Sequence, residues 1–338
     1  MVIFFDNTEI QGGKHRDTQR FFEKTNENLC ASLCKASVPL CVKNKTATIG
    51  FFDGVHLGHR FVIKRLKEIA ERNNSSSLII TFGTHPRKTL QSDFQPKLLT
   101  TLPEKLKLLD ETGVDACAVL DFTPEVAQLS AYDFMKQVLK EQYNVSTLLI
   151  GYDHRFGNNR HETFENYAEY GKTLNIEVVL LEQFLDDETE HISSSEIRKA
   201  LQNGQIERAN AMLGYNYFFE GKVIDGFKIG RKIGFPTANL QLDEPEKLLP
   251  AIGVYAVKIL ADGKNYSGML NIGNRPTLEN GNAISIEAHI INFDRNIYNQ
   301  TIEVGFIQKI RDERKFDSVN ELIEQLTKDR EMVLGLGF

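Results

Sequence analysis

Tryptophan is absent from the 338-residue chain, and cysteine occurs only four times, as Cys30, Cys34, Cys41 and Cys117. So few cysteines exclude a disulfide-stapled secreted scaffold. Three of them show C-x3-C-x6-C spacing, which matches no standard zinc pattern and has no histidine close by. Free buried thiols on a leader helix are the simpler reading. No apolar run approaches the roughly 20 residues that cross a bilayer. The opening stretch "MVIFFDNTEIQGGKHRD" lacks the basic start, long apolar core and small-residue cleavage site of a signal peptide. A cytoplasmic location with no membrane partner is expected. An excess of basic charge is also missing: the formal net charge is −6, which argues against a dedicated nucleic-acid binder.

What is present is enough for two packed cores. The apolar fraction is 41%, and the length suggests about two domains. Residues 1–44 form a leader without legible chemistry. From Thr46 to about Phe184 the pattern alternates strand and helix. "TATIGFF", "SLIITFG", "DACAVLDF", "STLLIG" and "IEVVLLEQF" read as strands, and "HRFVIKRLKEIAERN" and "PEKLKLLDETG" as helices. In the first helix Val62, Leu66 and Ile69 form the expected apolar stripe. Near-continuous apolar strands between helices indicate an α/β fold with a parallel sheet covered on both faces.

After Phe184 the pattern changes. "ISSSEIRKALQNG" and "IERANAMLG" read as two short helices. From Tyr217 the chain reads as strands joined by turns, with hairpin signals at Asp262-Gly263 and Asn280-Gly281. A last helix, "SVNELIEQLTKDREMVL", has Ser318 as N-cap and Glu321 in the capping-box position. The simplest architecture is a small antiparallel β-barrel closed by a C-terminal helix, with a boundary between about 203 and 217. Each half carries its own apolar elements and phosphate motifs, so the halves are expected to be separable.

Neither G-x4-G-K-[ST] nor G-x-G-x-x-G follows the first strand. Instead Gly50-Phe51-Phe52-Asp53-Gly54 leads into a helix start, where open N–H groups and the helix dipole favour anions. His56 and His59 stand three apart at that start. Two imidazoles there can donate to phosphate oxygens, ligate a metal with Asp53 or His85 as third ligand, or form a buried polar pair. Ser193, Ser194 and Ser195, with Arg198 one turn on, read as a helix cap or as a second phosphate cradle. "TFGTHPRK" and "LLIGYDHRFGNNR" end apolar strands at the rim where open parallel sheets bind ligands, which makes His85, Arg87, Asp153 and Arg155 candidates. In the second half "GRKIGFPTANL" places Gly230 and Gly234 around a turn, then Thr237 and Asn239 as two neutral oxygen donors suited to Mg²⁺, or as an ordinary turn. In "SIEAHIINF" the residues Ile284, Ile286, Ala288 and Ile290 share one strand face. Glu287 therefore points to the other face, as a general base or a solvated strand residue.

"GFFDGVHLGH" resembles the G-x-F-D-G-x-H-x-G-H signature of the nucleotidylyltransferase superfamily. With "TFGTHPRK", "GYDHRFG" and "ISSSEIR" added, the chain resembles the prokaryotic bifunctional riboflavin kinase/FAD synthetase family. "GVYAV", "NIGNRPT", "SIEAHIINFDRNIYNQTIEVGF" and "IRDERKF" extend the resemblance through its flavokinase module, a six-stranded antiparallel barrel. Ser195 stands where the family motif more often has threonine, which keeps the hydroxyl. The resemblance implies an FMN adenylyltransferase domain over 1–205 and a riboflavin kinase domain over 212–338. It implies ATP as co-substrate, Mg²⁺ as cofactor, and riboflavin, FMN and FAD as substrates and products. It places Gly50, Phe52, Asp53, His56, His59, Ser194, Ser195 and Arg198 on ATP, with His56 and His59 catalytic, and His85, Asp153 and Arg155 on FMN. In the kinase it places Gly230, Gly234, Thr237 and Asn239 on ATP, with Thr237 and Asn239 on Mg²⁺. Glu287 is the implied base, and Arg275, Thr277, Arg311 and Phe316 the implied flavin contacts. Adenylyl or cytidylyl transfer to another phosphate is the competing enzyme reading, which would leave the second half unexplained. A regulatory flavin-binding half is the non-enzymatic one.

Overall fold

The computed structural model describes residues 1–5, 44–84, 96–151, 154–158, 161–182, 192–226, 229–276 and 282–338. The chain divides into two compact units. The first comprises Met1–Phe52, His59–Gln95 and Lys107–Phe184; the second comprises Asp53–Gly58, Pro96–Leu106 and Leu185–Phe338.

The first unit is built on a six-stranded sheet. Its strands are β1 (Val2–Phe5), β2 (Lys45–Ile49), β3 (Ser76–Phe82), β4 (Ala116–Leu120), β5 (Val145–Ile150) and β6 (Glu177–Leu180), in the order β1-β4-β3-β2-β5-β6. Every pairing in it is parallel. All residues of β2 and β4 are buried, as an apolar strand covered on both faces requires. The leader contributes one element the sequence reading passed over: "VIFF" is an edge strand, with Val2 opposite Ala116. Strand order reverses between β2 and β5, so the loops after these strands lie at the topological switch point, where open α/β sheets bind ligands.

The helices are α1 (Leu57–Arg72), α2 (Leu102–Asp110), α3 (Pro124–Gln128), α4 (Ala131–Asp133, continuing as a π-helix over Phe134–Gln142), α5 (Phe164–Leu174), α6 (Ser194–Gln202), α7 (Ile206–Leu213), α8 (Ile229–Lys232) and α9 (Val319–Gly335). In α1 the buried stripe is Ile63, Leu66 and Ala70, rotated by one residue from the expected Val62, Leu66 and Ile69. Both sets satisfy helical spacing, and only the packing decides between them.

The second unit contains a closed barrel. Its strands are β7 (Phe218–Ile224), β8 (Ala238–Gln241), β9 (Gly253–Ala261), β10 (Lys264–Pro276), β11 (Asn282–Ile290) and β12 (Thr301–Arg311), in the order β10-β11-β8-β7-β12-β9. All its pairings are antiparallel. Asp262 and Gly263 join β9 to β10 with φ of 48° and 71°, the two positive values a tight two-residue hairpin demands. The Asn280-Gly281 signal lies outside the described residues. Ile286, Ala288 and Ile290 of β11 fill the core, whereas Ile284, expected with them, is 57% exposed near the strand's start. The same core takes in Ile197, Ala200 and Leu201 of α6 and Ile206, Ala209 and Met212 of α7. Those two helices therefore pack with the barrel. Ser318 caps α9 by accepting from the Glu321 N–H at 3.2 Å, as its sequence predicts. On the barrel's outer surface a smaller cluster joins Phe235, Ala256, Met269 and Ile291 to Val333 of α9.

Candidate active sites

The loop after β2 is tightly wound. Gly50 donates its N–H to the Ile80 carbonyl at 3.0 Å, and a β-carbon on Gly50 would sit 2.9 Å from the Phe52 ring. Phe52 and Val55 hold positive φ (54° and 37°), and Gly54 has φ of 80°. Such backbone persists only where surrounding contacts over-determine it.

Those contacts centre on Asp53, which is almost fully buried. Its carboxylate accepts from the Leu99 N–H at 3.1 Å and the Thr100 N–H at 3.0 Å. It also pairs with the Arg198 guanidinium. Arg198 Nε reaches the Lys97 carbonyl at 2.8 Å, and Ser194 Oγ donates to the Asp53 carbonyl at 3.0 Å. Gly54 is held from both sides: its N–H donates to Thr100 Oγ1 at 3.1 Å, and its carbonyl accepts from Tyr215 at 2.6 Å. Asp53, Ser194 and Arg198, 141 or more residues apart from first to last, thus meet in one network. Both Asp53 oxygens are engaged by donors, which fits an organiser of the loop better than a zinc ligand.

His56 precedes α1 and His59 is its third residue, so the helix starts between the two and they do not share a regular helical face. Burial drives the His56 pKa down to about 4; the Asp53 carboxylate opposes the shift and Arg198 adds to it. At neutral pH His56 is therefore an uncharged imidazole with one N–H to donate. The His59 ring stands edge-on to Phe52 at 5.1 Å. Ser193 is the cap of α6, accepting from the Glu196 N–H at 3.3 Å, and Ser195 is exposed. Arg155 is exposed in the loop after β5, where Phe156 stacks on Tyr167 at 4.5 Å. His85, Arg87 and Asp153, like Cys30, Cys34 and Cys41, lie outside the described residues.

In the barrel, β11 and β8 pair with Glu287 directly opposite Asn239 and Ala288 opposite Ala238. Directly opposed residues have β-carbons roughly 4.5–5.5 Å apart, so a carboxylate and an amide meet there. Asn239 is 8% exposed, and the amide packs so closely on Gly226 that a β-carbon at 226 would overlap it. Gly230 accepts from the N–H groups of Ile233 and Phe235, and a β-carbon on it would run into the Phe235 carbonyl. Gly234 needs glycine for its φ of 82° and has open space around it. It lines a cleft of about 560 Å³ together with His289, Asn292, Phe293, Arg330 and Leu334. His289 bonds through Nδ1 to the Pro236 carbonyl at 2.8 Å, one residue before Thr237, and burial lowers its pKa. Thr237 and Asn239 thus follow a turn clamped by Gly230 on one side and His289 on the other.

Arg311 ends β12 and pairs with the buried Asp329 of α9, both contacts at 2.9 Å. Its guanidinium stands 5.7 Å from the Phe316 ring, and that of Arg314 stands 4.8 Å from it. Arg275 lies in β10 opposite Ala283, and Thr277 is outside the described residues. Sequence reasoning missed Leu99, Thr100, Tyr215 and Asp329. The first three act through long-range contacts without a local signature. Thr101 and Glu104 do carry one, a T-x-x-E capping box, observed at 2.8 Å and 3.4 Å.

Comparison with known proteins gives matches over both units. The FAD synthetase family model matches residues 39–196 and the riboflavin kinase model residues 213–335. The bifunctional riboflavin kinase/FMN adenylyltransferase of Listeria monocytogenes is 39% identical, covering 85% of this chain and 91% of its own length. Those of Bacillus subtilis and Escherichia coli are 38% and 35% identical, each covered over 89% of its length. Among solved structures, a Streptococcus pneumoniae protein described as a macrolide-efflux protein matches with a TM-score of 0.78 and 31% identity, over 86% of this chain and 94% of that one. Among the described residues, no helix of this chain is long and apolar enough to cross a membrane.

Proposed function

The chain belongs to the bifunctional riboflavin kinase/FMN adenylyltransferase family, and from that premise we propose how its residues divide the two reactions. The enzyme converts riboflavin and ATP to FMN and ADP, then FMN and ATP to FAD and diphosphate. We assign adenylylation to residues 1–205 and phosphorylation to residues 212–338, with ATP and flavins as the small-molecule partners, in the cytoplasm.

For the kinase, Glu287 takes the proton from the ribityl 5′-hydroxyl as its oxygen attacks the γ-phosphorus of ATP and ADP leaves. A hydroxyl has a high pKa, so a base is useful. The observation that carries this reading is the direct pairing of Glu287 with Asn239. A hydroxyl, an amide oxygen and a nearby carboxylate are hard oxygen donors, and the close seat of the Asn239 amide on Gly226 fixes one of them. These residues fit Mg²⁺, which Thr237 and Asn239 would hold. When bound, the ion neutralises charge on the phosphates. Gly230 and Gly234 let the backbone approach the nucleotide, and the cleft beside Gly234 supplies room for it. Arg275, Thr277, Arg311 and Phe316 are assigned to the flavin.

For adenylylation the nucleophile is the FMN phosphate, already anionic at neutral pH, so no base is needed. Donors that offset charge as two anions meet are needed instead. His56 and His59 are assigned to the ATP phosphates, His56 as a neutral donor. Gly50, Phe52 and Asp53 shape the loop. Ser194, Ser195 and Arg198 are assigned to the triphosphate, and His85, Asp153 and Arg155 to FMN.

Two variants of the full chain test this division by product chromatography. Glu287→Gln should slow FMN formation by about 100-fold or more and leave FAD formation from supplied FMN intact. His59→Ala should do the reverse and accumulate FMN, at a cost of roughly 3 kcal/mol in the adenylylation barrier. Glu287→Gln with wild-type kinase rates removes Glu287 from the mechanism.

A further inference from the structure

One charged pair in the second unit is almost fully buried and belongs to neither candidate site. Lys247, in the connection between β8 and β9, is 4% exposed, and Glu104, in the first turn of α2, is 2% exposed. They meet at 2.6 Å. Glu104 also accepts from the N–H groups of Thr101 (2.8 Å) and of Glu220 in β7 (3.2 Å). Lys247 donates to the Leu99 carbonyl at 2.7 Å and stands 4.7 Å over the Tyr217 ring. A surface pair would contribute little; a pair removed from water persists only where its geometry is well satisfied.

The segment these two residues grip is the one that holds the loop after β2. Leu99 gives its carbonyl to Lys247 and its N–H to Asp53. Thr100 binds Asp53 through its N–H and Gly54 through its hydroxyl, and Lys97 gives its carbonyl to Arg198. Residue 98 forms a parallel bridge with residue 247, bonding to Glu246 and Leu248 at 2.8 Å each. Residues Lys97–Thr101 are therefore a short strut, fixed on one side by Lys247 and gripping Asp53, Gly54 and Arg198 on the other.

We propose that Lys247, although it lies in the kinase half of the sequence, is a positioning residue for adenylyl transfer, acting through the Lys97–Thr101 strut on the Asp53 loop and Arg198. The proposal rests on the assignment of that loop and Arg198 to ATP. None of the kinase residues assigned above touches Lys247 in the contacts described.

The test compares three variants of the full chain: Lys247→Met, Glu104→Gln/Lys247→Met and Arg198→Ala. In Lys247→Met, kcat for FAD formation from supplied FMN should fall by about 10- to 100-fold, the scale of an ångström-sized misplacement. The kcat for riboflavin phosphorylation should hold. The melting temperature should drop, because Glu104 is left buried without its cation. The double variant removes both charges, so its melting temperature should recover while FAD formation stays slow, since nothing then reaches the Leu99 carbonyl. Recovery of FAD formation along with stability would make the pair merely structural and overturn the proposal, as would a parallel loss of both activities in the double variant. Arg198→Ala checks the assignment beneath it. If that variant makes FAD normally, the assignment of Arg198 fails. If it does not, and Lys247→Met does, the assignment stands and the strut proposal falls.

Discussion

Gly226→Ala adds one methyl group against the Asn239 amide and should damage one reaction only. A β-carbon at 226 would lie 2.5 Å from the Asn239 side-chain amide carbon and closer still to its nitrogen, whereas ordinary contact begins at 3.4 Å. The shortfall on the carbon alone is 0.9 Å, from 2.5 to 3.4 Å. The amide has little room to yield. Asn239 is 8% exposed, lies opposite Ile224 on one side and Glu287 on the other, and belongs to a four-residue strand. Overpacking of this kind costs about 1–3 kcal/mol in stability, which a folded enzyme survives. The larger effect falls on chemistry, because an ångström of displacement in a positioned ligand is worth about 100-fold in rate. Riboflavin phosphorylation should therefore slow by about two orders of magnitude, with a raised requirement for Mg²⁺. FAD formation from supplied FMN serves as the control, since the atoms nearest a β-carbon at 226 all belong to Asn239, which is assigned to the kinase. Quantifying FMN and FAD by chromatography across a Mg²⁺ titration reads both outcomes. A Gly226→Ala enzyme with wild-type kinase kcat and Mg²⁺ dependence would refute the assignment of Asn239 to the metal.

Two further outcomes follow from burial. The His56 pKa is held near 4 against an unfolded value of 6.5, so the unfolded chain binds the extra proton first. Its contribution is fully present above pH 6.5 and is lost as pH falls toward 4, to a total of about 3 kcal/mol. Urea unfolding of wild type and His56→Gln between pH 7 and pH 4 should show the wild type losing about that much more; equal losses would sink the claim. A fragment spanning 212–338 omits Ile197, Leu201 and Ile206, each buried in the barrel's core. At about 1.5–3 kcal/mol apiece this approaches the whole stability of a domain, so that fragment should melt far below one spanning 192–338. Coincident melts by circular dichroism would show that α6 and α7 are dispensable.

How much of this was legible in the sequence depended on the range of the contacts. The inner strands of the parallel sheet were readable because burial on both faces leaves few polar residues in them, as in "ACAVL" and "STLLI". β1 was not, because four apolar residues at the start of a leader without legible chemistry carry no period. The Asp262-Gly263 hairpin and the Ser318 cap are local and were read correctly. The stripe on α1 was set one residue off because neighbouring helical positions differ by about 100°, and periodicity alone permits either choice. Around the candidate sites, residue type and spacing singled out His56, Thr237, Asn239 and Glu287 as candidates, and the family resemblance supplied the roles proposed for them. The long-range partners that brace the loops around them were not singled out. Asp53 takes Leu99 and Thr100 from 46 and 47 residues away, and Lys247 reaches Glu104 across 143. Nothing in a one-dimensional pattern joins a lysine in a barrel connection to a carboxylate in the first turn of α2.

The two phosphoryl chemistries leave different marks on the groups assigned to them. A kinase that activates a neutral hydroxyl needs a carboxylate beside its metal-binding oxygens, and β11 brings Glu287 opposite Asn239. An adenylyltransferase whose nucleophile is a phosphate needs no such base, and any uncompensated anion near its donors would repel both substrates. In the first case the carboxylate, Glu287, is half-buried and lies opposite an amide assigned to the metal. In the second, Asp53 is buried, with its two oxygens spent on Leu99, Thr100 and Arg198. Its charge is offset before any phosphate arrives. That offset also explains how a carboxylate can sit three residues from His56 without making the imidazole a cation: burial outweighs the attraction of Asp53, and Arg198 cancels part of it. The result is a loop stiffened by a charge it does not present. A variant that unpairs Asp53 should therefore do more harm to adenylyl transfer than the loss of one hydrogen bond would, because it adds repulsion as well as slack.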